Sequence, residues 1–259
     1  MSFVLAPVPP RPDDDAPGSV RESRVASVAG RIIDLIAGGR LAAGDRVAES
    51  FLERELGASR YTVREALRVL VTQGVLEKVP HSGCRVTRFD EDRLHQIYLA
   101  RLQVELLALP SAIAAVAAEP GLLARLDRAL ERMAVAAEQG IDATYAEADL
   151  AFHRAVMRLS GNDIALRLWE ILLPHTRIVR AILGGRVDDL AGHVAEHRGL
   201  RDTIAARDVG RAADAWRAHM LRHLDRQREA AAVPSANCAA PVRDRPHGIR
   251  DGSHRSAAR

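Results

Sequence analysis

The stretch that most constrains the fold runs from Glu55 to Leu70, ELGASRYTVREALRVL. Gly57-Ala58-Ser59 separates two segments of helical apolar periodicity, too short for anything but a tight turn. Ser59 is placed to cap the second helix, because its hydroxyl can accept a bond from a free N–H of the first turn. Val63, Ala66, Leu67 and Leu70 recur at steps of three and four and predict one buried stripe. Arg60, Thr62 and Arg64 fall elsewhere around the same helix, near its start. A short helix whose first turns carry arginine and small hydroxyls suits the DNA major groove. There a guanidinium can hold guanine O6 and N7 together, and hydroxyls can reach phosphates or bases. Taken alone, each arginine reads equally well as a solvated surface residue.

The flanks extend this unit. From Val20 a helical pattern carries Val25, Val28, Ile32, Ile33 and Ile36, and Gly38-Gly39 stops it. Leu41 to Val47 reads as a turn into a second helix, about 48–56, which presents Phe51, Leu52 and Leu56. The third helix, about 60–73, ends at Gly74. Two β-prone runs, 75–79 and 84–87, surround Pro80-His81-Ser82-Gly83 and predict a hairpin. Three helices and a hairpin make a winged helix-turn-helix unit over residues 20–88. Residues 1–19 hold five prolines and Asp13-Asp14-Asp15, a composition expected to stay disordered.

Beyond Phe89 the pattern is helical throughout. Leu94, Ile97, Tyr98, Leu102, Leu106 and Leu109 follow steps of three and four, with Pro110 expected to kink that helix rather than end it. Five more helices are expected at about 122–139, 142–159, 164–183, 187–206 and 209–229, the 164–183 helix bent at Pro174. Six helices without a convincing strand predict an all-α antiparallel bundle over 90–229, so the chain as a whole is mainly α. Aromatics make up only 3% of the chain, consistent with helices over sheets. The Ala- and Arg-rich tail, 230–259, has no periodic pattern and is expected to be disordered.

The informative residues in the bundle are polar groups on its apolar stripes. Tyr145, Asp149, Phe152, Val156 and Leu159 trace one face, with His153 one turn after Asp149. Leu190, Val194, His197, Arg201 and Ile204 share another, and Ala212, Trp216, His219 and His223 a third. Inward ionisable groups are costly unless they are paired. A divalent cation would satisfy those on three helices together. Three imidazoles and one carboxylate suit a transition metal such as zinc, nickel or manganese better than calcium. The bland reading of any single histidine is a satisfied core residue.

The motif G-x-S-R-x-x-V-R-E-A-L-x-x-L at 57–70, followed by a wing glycine, resembles the DNA-binding domain of the GntR family of bacterial transcription regulators. Gly39 to Val47 is similar to that family's upstream G-x-L-x-P-G-x-x-L, with Ala43 in the place of proline. Tyr61 stands where the family more often has threonine or proline. The resemblance implies base or phosphate contacts from Arg60 and Arg64, and phosphate contacts from Ser59 and Thr62. It further implies minor-groove contacts from His81, Ser82 and Gly83 in the wing.

The second half resembles the FCD-type effector domain of the FadR subfamily. The resemblance rests on Asp149-x-x-Phe152-His153, Ser160-Gly161-Asn162, Glu196-His197 and His219, the last two histidines lying 22 residues apart. It implies Asp149, His153, His197 and His219 as metal ligands, with His223 outside the pattern as a structural or surface residue. Trp216 stands where methionine is common. Arg101 and Glu105 are open to two readings: an i, i+4 ion pair, or an Arg101 that grips an effector carboxylate, as in some family members.

Bulk charge adds little, since the formal net charge is only +3. Two cysteines, Cys84 and Cys238, without metal-type spacing argue against a disulfide framework and fit a reducing cytoplasm. The start of the chain lacks the apolar run of a signal peptide. No segment reads as approaching the roughly 20 apolar residues of a membrane span. The expectation is a cytoplasmic homodimer, not an enzyme, that binds operator DNA and responds to a small carboxylate, most simply as a repressor. Two other classes stay open: a metal-dependent enzyme, and an architectural DNA-binding protein with a structural bundle.

Overall fold

A computed structural model describes residues 20–80, 83–182 and 189–232. The N-terminal unit forms as the apolar periodicities require. Helix α1 (Val20–Ala37) buries Val28, Ile32, Ile33 and Ile36, and α3 (Arg60–Thr72) meets it with Val63, Ala66, Leu67 and Leu70. Between them α2 (Glu49–Leu56) inserts Leu52 and Leu56. Gly57 ends α2 in the left-handed conformation, φ 59°, which a residue with a Cβ adopts only at a cost. Ser59 then caps α3, its hydroxyl accepting from the Thr62 N–H at 3.2 Å.

The wing is a three-stranded antiparallel sheet in the order β1-β3-β2. Strands β2 (Leu76–Val79) and β3 (Gly83–Val86) are the expected hairpin, in register from Leu76 opposite Val86 to Val79 opposite Gly83. Strand β1 (Arg46–Val47) was expected as turn; it is a strand because it pairs with Arg85 and Cys84 of β3. His81 and Ser82 lie outside the described residues, as do the arm expected at 1–19 and the tail beyond 232.

The six expected helices are α4 (Glu91–Ala118), α5 (Ala124–Gln139), α6 (Asp142–Leu159), α7 (Asp163–Ile182), α8 (Leu190–Ala205) and α9 (Val209–Ala232). A short 3-10 turn, Pro120–Leu123, precedes α5. Helix α4 continues through Pro110 and α7 through Pro174. Helix α9 runs to Ala232, into the segment expected to be disordered from 230.

Helix α4 is the axis of the bundle and packs against α6, α7, α8 and α9. It is long and apolar enough to cross a membrane, which corrects the expectation that no segment comes close. Its Arg101 and Glu105 point into the protein among Leu102, Ala108 and Leu109, which identifies it as a core helix. The bundle meets the N-terminal unit through α7. There Arg177 reaches Asp34 of α1 at 2.9 Å, and His175 packs on Phe89 and bonds to the end of α3.

Candidate effector site and nucleic-acid interface

The start of α3 stands clear of the protein. The Arg60 and Arg64 side chains are 67% and 50% exposed, so both are free to meet a partner surface. One carboxylate steadies both. Arg64 Nε donates to Glu49 of α2 at 2.9 and 3.1 Å, and Arg60 Nε to the same group at 3.4 Å. Sequence reading missed Glu49, which lies 15 residues from Arg64 and is linked to it by no local periodicity. Ser59 and Thr62 bond to each other, hydroxyl to hydroxyl, at 2.8 Å. Gly83 opens β3 with φ 82°.

In the bundle the structure brings His153 from α6, His197 from α8 and His219 from α9 together, one ring nitrogen of each lying within 4.8 Å of the others. All three rings are buried. Each has its Nδ1 committed: His153 to Glu105 Oε2 at 2.8 Å, His197 to the His193 carbonyl at 2.8 Å and His219 to Glu196 Oε2 at 3.2 Å. With Nδ1–H donating to an oxygen, Nε2 is the lone-pair nitrogen. This is how partner groups orient imidazoles for a metal. His197 Nε2 is buried and makes no hydrogen bond, although Asp149 Oδ1 is only 2.9 Å away. A nitrogen and an oxygen that close, misaligned for a hydrogen bond, are spaced as two ligands of one cation would be. The donor set therefore fits a divalent transition metal.

Asp149 stands slightly apart from that triad. It groups with His193 and His197 within 4.8 Å, and Arg180 of α7 donates to its Oδ2 at 2.6 Å. Burial acts to raise the Asp149 pKa, but Arg180 and then His197 hold it well below the usual carboxylate range. Arg180 and His193 are site residues that sequence reading missed. His193 was legible as an i, i+4 partner of His197; Arg180 had no local signal. His223, expected as structural or surface, is buried, with its ring 5.6 Å from that of His193.

Arg101 and Glu105 form an ion pair, the first of their two sequence readings, Nε to Oε1 at 2.6 Å, with both side chains buried. Glu105 also accepts from Trp169 Nε1 and Trp216 Nε1, each at 2.7 Å. Burial would raise the Glu105 pKa; Arg101 and then His153 outweigh it and keep the group ionised. Trp216 thus anchors the carboxylate that orients His153. Arg101 Nη2 has no hydrogen-bond partner.

Burial favours the neutral form of His153, His193, His219 and His223. Burial pushes His219 down to about 3 against its bond to Glu196, and His193 down to about 2 against the nearby Asp149. Burial likewise lowers His153, opposed by Glu105, and takes His223 well below its ordinary value, with Arg180 adding to the effect.

Two family models match the chain: "Bacterial regulatory proteins, gntR family" over residues 24–86, and "FCD domain" over 96–222. The chain is 32% identical over 204 residues to a probable D-xylose utilization operon transcriptional repressor of Paenarthrobacter nicotinovorans, covering 74% of this chain and 84% of that protein. It is 30% identical over 190 residues to the transcriptional repressor GlaR of Escherichia coli, covering 66% and 82%. Among solved structures, E. coli McbR/YncC matches with a TM-score of 0.70 at 23% identity, over 80% of this chain and 97% of that one; at that identity it shows the fold alone. With its winged unit and its helical domain both matched, the chain belongs to the GntR family of bacterial transcription regulators, in the group with an FCD domain.

Proposed function

We propose that the protein is a cytoplasmic, homodimeric repressor whose grip on operator DNA changes when a small carboxylate binds beside a divalent cation in the helical domain. Residues 20–88 act as the DNA head and 90–229 as the sensor. Arg60 and Arg64 read bases or adjacent phosphates, Ser59 and Thr62 hold phosphates, and Gly83 with its neighbours His81 and Ser82 approaches the minor groove. His153, His197 and His219 hold the cation, and Asp149 joins them through Oδ1 while its Oδ2 stays with Arg180. A bound cation of this kind, zinc, nickel or manganese, leaves positions open to a carboxylate oxygen. Arg101, whose Nη2 is unpartnered, is then a second hand for the same ligand.

One observation carries this reading: three buried imidazoles with their Nδ1 atoms tied and one nitrogen each converging within 4.8 Å. The route to DNA runs along α7, which carries Arg180 at the sensor and His175 at the end of α3. A ligand that moves Arg180 or Asp149 shifts operator affinity only insofar as it binds the DNA-free arrangement differently. Dimerisation is supported by an exposed apolar strip, Leu107 on α4 and Ile164, Leu168 and Ile171 on α7, flanking the seam where Ala108 packs with Ala165 and Trp169. A second copy on that strip would present two heads to the matched half-sites of a palindrome. Elemental analysis of purified protein tests the cation: the His153→Ala, His219→Ala double variant should lose it, and full retention would refute the assignment.

A further inference from the structure

Asp149, His193 and His223 each lie four residues from a ring of the imidazole triad, on α6, α8 and α9 in turn. The spacing repeats in three helices: Asp149 and His153, His193 and His197, His219 and His223. A four-residue step is about one turn, roughly 6 Å along a helix. The cluster therefore has a second layer beside the proposed cation position. That layer is buried, and three polar atoms in it have no partner in the protein. His193 Nε2, His223 Nε2 and Tyr98 Oη of α4 make no hydrogen bond. Tyr98 and His223 lie ring to ring at 5.2 Å, and His223 and His193 at 5.6 Å. Buried polar atoms are ordinarily hydrogen-bonded, so three together mark a place for a polar partner.

The layer is donor-rich. Arg180 already neutralises its one carboxylate, Asp149, at 2.6 Å. The Tyr98 hydroxyl stays protonated, since burial pushes its pKa up to about 12. Tyr145 lies 2.7 Å from His193 Nδ1. If its hydroxyl donates there, His193 carries its proton on Nε2, facing the layer. Guanidinium, phenol and imidazole can each donate to oxygen lone pairs, while a second cation would be repelled by Arg180.

We propose that Tyr98, Arg180, His193 and His223 form an oxyanion subsite one helical turn from the cation position, and that the effector is a short dicarboxylate spanning the two. This rests on the sensor reading above. Charge balance agrees. Among the described residues the buried charges are Arg101, Arg180, Glu105 and Asp149, which cancel, so a dication adds two positive charges and a dicarboxylate removes them. The roughly 6 Å step suits a backbone of about four carbons.

The experiment is calorimetric titration of the full chain, loaded with Zn2+, with acetate and with succinate at constant ionic strength. Wild type, Tyr98→Phe and His223→Gln are compared, with bound metal counted and thermal unfolding recorded for each. Succinate should bind wild type at least about tenfold tighter than acetate, about 1.4 kcal/mol. Either variant should lose most of that preference while keeping its metal content and its fold. Equal binding of the two acids by wild type, or a preference unchanged in both variants, would overturn the proposal. So would two metal equivalents per chain with one lost in His223→Gln, which would make the layer a second cation site. A wild type without metal that still prefers succinate, and loses the preference in the variants, would sink the cation reading and leave this subsite standing.

Discussion

His175 holds the end of α3: its Nε2 donates to the Gln73 carbonyl oxygen at 2.7 Å. Gln73 is the C-cap of α3, so that carbonyl is one the helix cannot satisfy itself. Arg180, fewer than two turns further along α7, holds Asp149 in the sensor. One helix therefore touches both α3, the proposed DNA-reading helix, and the proposed effector site. His175→Ala removes the bond and the ring contact with Phe89 at 5.9 Å. The variant should bind carboxylates as wild type does but transmit less of that binding to operator affinity. Paired ligand and operator titrations check this, and full transmission in the variant would remove α7 as the route.

Glu105→Gln should be among the most damaging single changes. Glu105 accepts from Arg101, His153, Trp169 and Trp216, so losing its charge leaves Arg101 buried without a counter-ion. Removing one partner of a buried pair costs roughly 3–5 kcal/mol. Because Glu105 also orients His153, metal affinity should fall by about 10–100-fold. Chemical unfolding and a competitive chelator titration measure the two effects; near-wild-type values in both would contradict the role given to Glu105.

Much of this was legible in the chain. Helical periodicity marked α1, α3 and the six bundle helices because each buries a continuous stripe that local spacing records. The convergence of His153, His197 and His219 was readable for the same reason, since each stands on an apolar stripe of its own helix. Strand β1 was not, because Arg46 and Val47 are extended only through pairing with Arg85 and Cys84 far along the chain. Glu49, Arg180 and the bond from Glu105 to His153 escaped likewise, since which charge faces which across helices is set by packing. His193 and His223 carried a usable signal: four-residue spacing from two residues already on apolar stripes.

Acid should destabilise the metal-free protein. The unfolded chain takes up protons on His153, His193, His219 and His223 near the ordinary value of about 6.5. In the folded chain burial holds all four lower, His219 at about 3 and His193 at about 2. The unfolded state therefore binds more protons as pH falls below about 6.5, and stability declines with it. Asp149 and Glu105 act in a lower window, because their folded pKa values are depressed and their contribution is lost only below the usual carboxylate range. The urea midpoint with chelator present should be lower at pH 5.5 than at pH 7.5. An equal or higher midpoint at pH 5.5 would mean that these rings are not held neutral.

On DNA, Arg60→Ala and Arg64→Ala should each cost about 1–3 kcal/mol of operator binding if they touch base edges. If one of them contacts only phosphate, its loss should instead weaken all sequences alike and flatten the salt dependence. Glu49→Gln, which frees both arginines, should raise affinity for unrelated DNA more than for the operator and so narrow the specificity ratio. Footprinting with competitor DNA separates these outcomes.

The most direct test of the whole account is one titration series. An operator is selected from random DNA by the full-length protein. Its affinity is then measured by fluorescence anisotropy with metal-loaded protein, with and without each small carboxylate that raises the protein's melting temperature. The account predicts that at least one such acid changes the operator dissociation constant by about tenfold or more, and that His153→Ala, His219→Ala abolishes the change. An operator affinity indifferent to every stabilising acid would contradict it.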